Sequence, residues 1–424
     1  MILLIYNYSQ EVRDLFYTDS IRKKLTINLS ENPIDFSTYN RTYFDIYKSL
    51  SDDEIISESM EFSEALSEEN KFTFRAFSLP QLSVDRVFEE KDFTGCACTC
   101  ILSIYEEDNQ TIAANIMLLS GYVVSDEASD DRQTRKLNCI DSIGQLLEKE
   151  IFSFENVNKT NSSILNLISA VSTATKISFF KGDYDENGVL DYELITETNF
   201  SKLKYDVDFT NFENSYTLKG FIQDLCEITG CFIVFHKQNS TSLDNSYIGK
   251  EIIFVNIYMD LQLLYPYQTI YPDDDIYPLL GLIGKLPAKP SVINKIDWYI
   301  KAVTSTRTVI PYDGFTVYIG NRIIYKEPLH LSAFDLEYKI NNNVLLENAK
   351  ISSMPNILDG LFFSLISLNY FTAKLDMPYL AYLQPGDFLM FDTQWGTYIL
   401  PIVKVEVKGI NSMTARVTCE LTTQ

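Results

Sequence analysis

The sequence predicts an α+β, β-rich protein, with antiparallel β structure at both ends and a mixed helix-and-strand piece between them. Three observations predict it. Short runs of β-prone residues, separated by polar turns, recur through residues 1–137, the spacing of a sandwich or small barrel. Within residues 138–230, apolar residues instead recur at three- and four-residue spacing, the mark of helices with one buried face. Residues 383–421 then return to strands punctuated by Pro-Gly and Lys-Gly turns, a meander that closes a second barrel or sandwich. An abundance of aromatics, 27 Tyr and 27 Phe against 16 Gly, suits such sheets.

Taken in order, the early β-prone runs are Ile2–Tyr6, Leu25–Leu29, Phe72–Arg75, Cys96–Tyr105, Ile112–Val124 and Arg135–Ile140. The stretch Asp52–Phe77 reads as a β-hairpin, because Met60 and Phe62, then Phe72 and Phe74, alternate with polar residues. Glu68-Glu69-Asn70 supplies its turn. A helix over Met60–Leu66 is the competing reading, since Glu, Met, Ala and Leu favour helices. Ser125–Arg132 reads as a solvated acidic hairpin tip. Asp141 is placed to cap a helix over Ser142–Glu150 that buries Ile143, Leu146 and Leu147. Further helices are expected at Ser163–Ala174 and Leu218–Thr229, the second closed by Gly230.

Cys231–His236 and Glu251–Tyr258 pair as a hairpin, and residues 262–290 form a Pro-rich exposed stretch. Strands resume at Ile293–Val303, Phe315–Ile319 and Ile323–Tyr325, and a helix with Ser353 as cap and Pro355 near its start runs through Ile366. Phe388–Asp392, Tyr398–Val407 and Met413–Leu421 complete the chain. The division this gives is 1–137, a first β-barrel; 138–230, an α+β domain; 231–345, the hairpin plus a Pro-rich insertion; and 346–424, the helix and closing meander of a second barrel. That second barrel is expected to be discontinuous, drawing on 231–260.

Charge is the outlier. With 35 Lys+Arg against 58 Asp+Glu the net charge is −23, which argues against a surface built to grip nucleic-acid phosphate. The Met1–Tyr6 start has no basic n-region. The apolar run Leu361–Phe371 is too short for a bilayer core of ~30 Å, so a soluble chain made in the cytosol is expected.

Catalytic motifs are sparse. Cys96, Cys98 and Cys100 fall on one side of a strand. An odd count of seven cysteines without a CxxC pair points to free buried thiols. The two histidines are His236 and His330. A Cys226/His236 dyad can be drawn, but Cys226 sits beside Leu225 on a helix and reads as core. Glu68/Glu69 and Asp273/Asp275 read as solvated acids rather than a glycosidase pair. Asp183-Tyr-Asp185-Glu-Asn187-Gly188-Val-Leu-Asp191 matches the start of a calcium loop, yet Leu194 stands where the bidentate acid belongs. An Asn187-Gly188 hairpin turn is the other reading. No catalytic, cofactor-binding or metal-ligating residue is assigned, and no cofactor.

Four stretches in their order resemble the baseplate hub proteins of long-tailed phages, the tail-associated or prophage tail-endopeptidase N-terminal module, with relatives in contractile injection systems. They are ISESMEFSEALSEENKFTF at 56–74, SGYVVSDEASDDRQTRKLNCID at 120–141, YTLKGFIQDLCEITGCFIVF at 216–235, and the helix at 355–371 followed by LQPGDFLMF at 383–391. The resemblance implies two related tube-type barrels per chain and a homotrimeric, pseudo-six-fold ring. It implies docking on the tail tube or distal tail protein, contact with the tape-measure protein, and presentation of receptor-binding, fibre, lysin or spike components at the virion tail tip. DNA is then a partner only in transit through the lumen, with no membrane insertion. Many relatives continue into a peptidase or lysin, whereas this chain stops at Gln424, so a non-enzymatic structural role is expected. A tail-associated cell-wall hydrolase and a calcium-dependent glycan-binding adhesin are the alternatives.

Overall fold

The computed structural model describes residues 15–16, 21–34, 45–65, 74–160, 162–184, 190–235, 251–255, 294–296, 302–309, 314–328, 337–358, 369–381, 383–393, 396–410 and 414–422. The protein is β-rich, as its alternating patterns require. β1 (Lys23–Pro33), β2 (Lys48–Leu50), β3 (Ile55–Ala65), β4 (Ser78–Val87), β5 (Cys96–Tyr105), β6 (Ile112–Ala128) and β7 (Thr134–Asp141) are antiparallel neighbours in the order β3-β4-β7-β6-β5-β1-β2. β5 is buried along its whole length, Thr99 and Ser103 included, so CACTCILSIY is covered on both faces rather than alternating between core and solvent.

The mixed piece follows. α1 (Ile143–Leu147) starts where the Asp141 carboxylate accepts the Ile143 N–H at 3.0 Å. β8 (Ser162–Ser163) leads into α2 (Ile164–Thr175), which Ser163 caps by accepting from the Asn166 N–H. β9 (Ser178–Tyr184) and β10 (Leu190–Leu194) form a hairpin, and the two-residue β11 (Asp206–Val207) pairs with β8. α3 (Leu218–Thr229) ends at Gly230, whose φ of 66° is the left-handed C-cap that glycine takes without strain. β12 (Phe232–Phe235) and β13 (Glu251–Val255) pair as expected, but β13 then hydrogen-bonds in parallel with β9. The hairpin assigned by sequence partly to the second barrel thus belongs to a four-stranded sheet, β10-β9-β13-β12.

β14 (Asn294–Ile296) and β15 (Ala302–Val309) precede a three-stranded sheet of β16 (Gly314–Ile319), β17 (Arg322–Pro328) and β18 (Glu337–Asn341). Two short helices, α4 (Val344–Glu347) and α5 (Met354–Ile357), follow, with Pro355 in the first turn of α5. β20 (Phe388–Thr393), β21 (Gly396–Lys408) and β22 (Thr414–Thr422) form the expected meander, and β19 (Asn369–Pro378), a strand whose first residues lie in the stretch 355–371 read from sequence as a helix, pairs with β22. The β20 approach uses the Pro-Gly turn, with Gly386 at φ 101°.

These last strands do not close on themselves among the described residues. β21 pairs with β22 on one side and with β3 on the other, giving a 13-stranded sheet that runs from β15 through β19, β22, β21 and β3 to β2.

The first half of the Asp52–Phe77 stretch, β3, is therefore a strand at the junction. Met60 and Phe62 are buried, as alternation requires, and the helix reading of Met60–Leu66 is excluded over Met60–Ala65. The partner strand in the hairpin is β4, not Phe72–Arg75: Phe74 and Arg75 lie in a turn. Phe74 is buried, but its ring packs on Phe232 and Tyr338 at 5.1 and 6.4 Å rather than inside the first sheet. Ile2–Tyr6, Glu68-Glu69-Asn70, Phe72, His236, residues 262–290, Asp273, Asp275 and His330 lie outside the described residues.

Candidate functional site

The junction itself is the first candidate. Lys404 to Lys408 of β21 lie opposite Ala65 to Glu61 of β3. Met60, Phe62, Val405 and Val407 are buried beneath it, and the Gly409 N–H donates to the Met60 carbonyl at 2.7 Å. The Lys408–Glu61 pair at 3.2 Å joins side chains 77% and 57% exposed, so it adds little; backbone pairing and the buried underside, mostly apolar but including Glu64 opposite Val405, hold the seam.

A buried ionic cluster ties the seam to the rest of the chain. Arg75, at the far end of the β3–β4 connection, donates through Nη1 to Asp224 Oδ1, and to Glu227 Oε2 at 2.9 Å. Asp224 and Glu227 stand one turn apart on α3 and share a face. The Asp224 Oδ2 atom also accepts from Tyr216 Oη at 2.8 Å and from the Val344 N–H at 2.9 Å. Glu227 accepts from Asn343 Nδ2 at 3.0 Å, while Asn343 Oδ1 caps α4 through the Leu346 N–H at 3.1 Å. One cluster therefore joins the hairpin, α3 and the start of α4. Burial pushes both carboxyls up, against the pull of Arg75. Arg75 itself is raised: burial opposes its charge but the two carboxylates outweigh it.

A second buried cluster corrects the solvated hairpin tip. β6 continues through Ala128 and the turn is Ser129–Arg132, with Arg132 at φ 53°. Asp126 is buried. Its Oδ2 accepts from Arg86 Nη2 at 2.6 Å and from the Phe93 N–H at 3.0 Å, and its Oδ1 accepts from Arg135 Nε at 3.1 Å. Arg86 also donates to the Lys91 carbonyl at 2.7 Å and lies over the Phe93 ring. The cluster pins the β6–β7 hairpin to β4.

The cysteines behave largely as read. Among the described residues Cys96, Cys98, Cys100, Cys139, Cys226 and Cys231 are all buried and unbridged. Cys226 is core, and burial pushes its thiol up, the reverse of a nucleophile's activation. The Sγ atoms of Cys98, Cys100 and Cys139 lie within 4.8 Å of one another. Burial raises Cys98 and Cys100, whereas Cys139 is lowered because the Cys100 and Cys98 thiols donate to it. Asp183 and Asp191 sit directly opposite each other in the β9–β10 hairpin, which pairs up to Tyr184 and Leu190. That is the hairpin reading of this motif; residues 185–189 are outside the described set.

Sequence reasoning missed Arg75, Asp224, Glu227, Asn343, Arg86, Asp126 and Arg135. Asp224 carried a signal, for it follows Phe221 by one turn and interrupts the apolar stripe of α3. Glu227 carried none, because the residues that cover it arrive more than a hundred positions later.

The fold defined here is a β-rich one whose terminal thirds share a sheet around an α+β piece. No family model and no curated protein matches the chain. Solved structures do. A tail protein from Neisseria meningitidis MC58 is similar at TM-score 0.49 and 7% identity, covering 94% of this chain and 96% of that one. A 43 kDa tail protein of prophage MuSo2 from Shewanella oneidensis follows at TM-score 0.45 and 10% identity, covering 94% and 98%. Prophage tail protein gp18 from Listeria monocytogenes EGD-e gives TM-score 0.43 and 9% identity, covering 94% of both. The solved structures that this chain is similar to include phage tail and baseplate proteins and a component of a type VI secretion system. Among the described residues no helix is long and apolar enough to cross a membrane.

Proposed function

We propose that this chain is a structural baseplate hub of a phage or phage-like tail, non-enzymatic, that trimerises into a pseudo-six-fold ring at the virion tail tip. The observation that carries the reading is the β3–β21 seam. A subunit that occupies two positions of a six-fold ring must hold two sheet units at a fixed offset. Backbone hydrogen bonds running through both units, stiffened by the buried, mostly apolar side chains beneath them, do that better than a flexible linker. The two units correspond to two tube-type barrels, the first in residues 1–137 and the second completed by 346–424, with 138–230 as the α+β domain between them.

The four quoted sequence stretches support the same reading. In their described residues three of them fall on β3, on the β6–β7 hairpin up to the start of α1, and on α3 running through Gly230 into β12. In this proposal one face of the ring docks on the tail tube or distal tail protein and meets the tape-measure protein. The other presents receptor-binding, fibre or lysin proteins. The excess of acid, −23 overall, keeps a lumen through which DNA slides without sticking. Negative-stain images of the purified chain test it: rings of three chains with six-fold outline are expected. Clearing of cell walls by the purified chain in a zymogram would instead favour the hydrolase reading.

A further inference from the structure

We propose that Cys98, Cys100 and Cys139 form a three-thiolate site for one soft divalent metal ion, enclosed in the N-terminal part of the large sheet. β5 and β7 are not neighbours, because β6 lies between them. Two strand spacings of a flat sheet would separate them by about 9.6 Å, yet their sulfurs lie within 4.8 Å. The three side chains converge across β6, and Gly121 of β6 lies between the two strands at the level of Cys98. Gly121 pairs with Cys98 on one side and Asp141 on the other, and a Cβ on it would stand 1.8 Å from the Ile140 carbonyl oxygen.

The sulfur separation suits coordination. With metal–sulfur bonds of about 2.3 Å, three sulfurs around one ion lie roughly 4 Å apart. The cage decides the kind of ion. The residues paired with the three cysteines include Ile27, Leu29, Leu82, Leu119 and Val123, all buried. These side chains offer no oxygen, so hard ions such as calcium or magnesium find no ligands. Three thiolates leave one net negative charge on a divalent ion and two on a monovalent one, and the apolar cage favours the smaller excess. Three ligands, one short of a structural zinc site, favour a larger, softer ion. On binding, each thiol gives its proton to solvent as its sulfur joins the metal. Because the site is sealed, the ion enters as the sheet forms and its affinity adds to folding.

The test refolds the full chain anaerobically with one equivalent of Cd(II) and a phosphine reductant, desalts it into chelator, and measures retained metal. The expected result is one Cd(II) per chain with a sulfur-to-cadmium charge-transfer band. C139A should lower retained metal at least tenfold, and C96A, at a buried cysteine outside the cluster, should leave it unchanged. X-ray absorption on the wild-type Cd(II) protein should count three sulfurs, which guards against a variant that fails to fold. No retained metal, equal retention by C139A, a count of two or four sulfurs, or a disulfide from Cys139 to Cys98 or Cys100 would each overturn the proposal.

Discussion

Replacing Arg75 by Met removes the cation that, among the described residues, pairs with Asp224 and Glu227, both almost completely buried. The methionine fills much of the space but offers no charge or donor. Asp224 keeps its bonds from Tyr216 and Val344, and Glu227 keeps Asn343, so the carboxylates are solvated in part by the protein. Removing one partner of a buried ion pair costs about 3–5 kcal/mol, and that is the expected loss near pH 7. The pH dependence gives the sharper test. Both carboxyls are already raised by burial, so the folded state binds protons that the unfolded state has released. Stability from these groups therefore falls as pH rises from the ordinary carboxyl range through the raised folded value, and is level above it. Arg75→Met moves that upper limit higher. The deficit relative to wild type should be largest at neutral pH and shrink on acidification, by about 1.4 kcal/mol per pH unit for each proton taken up. Urea midpoints for both proteins at pH 7.5 and 5.5 measure it. A loss under about 1 kcal/mol, or a deficit that grows toward acid, would refute this account of the cluster.

Other consequences follow from the same geometry. Asp126→Ala takes from buried Arg86 its 2.6 Å carboxylate and leaves it the half-exposed Glu89 at 3.5 Å; it should cost about 3–5 kcal/mol, read as a lower urea midpoint. Gly121→Ala drives a Cβ into the Ile140 carbonyl and should cost about 1–3 kcal/mol or more, seen as a lower Tm. Phe62→Ala opens a cavity under the seam beside Tyr379, whose ring lies 6.5 Å away; about 3–5 kcal/mol is expected. Amide exchange in that variant should speed up in both β3 and β21. Gly230→Ala forces a side chain into the left-handed cap and should cost about 1 kcal/mol, measured the same way.

Much of the fold was legible because it rests on local patterns. The strand at Cys96–Tyr105 and the helix at Leu218–Thr229 match their sequence limits, since the apolar repeat and the Gly230 cap are all within a few residues. Asp141 likewise announced the start of α1. What was not legible depended on distant pairing. Phe74 looked like a strand residue, yet Phe232 and Tyr338 dictate its setting. Asp126 looked like part of a solvated acidic run, because Arg86 and Arg135 become its partners only when β4 and β7 pair. The cysteine triplet pointed to one strand face, but Cys139 reaches Cys98 and Cys100 only when β5, β6 and β7 pair. The seam between β3 and β21 has no signature in either strand, for an edge and an interior strand of the same alternation read alike.

As proposed, three copies of this chain form the ring. Light scattering on the purified protein, alone and with the cognate tail-tube protein, tests it most directly. The account predicts a particle of three times the 48.7 kDa chain mass, alone or on adding the tube protein. A chain that stays monomeric in both conditions would contradict it.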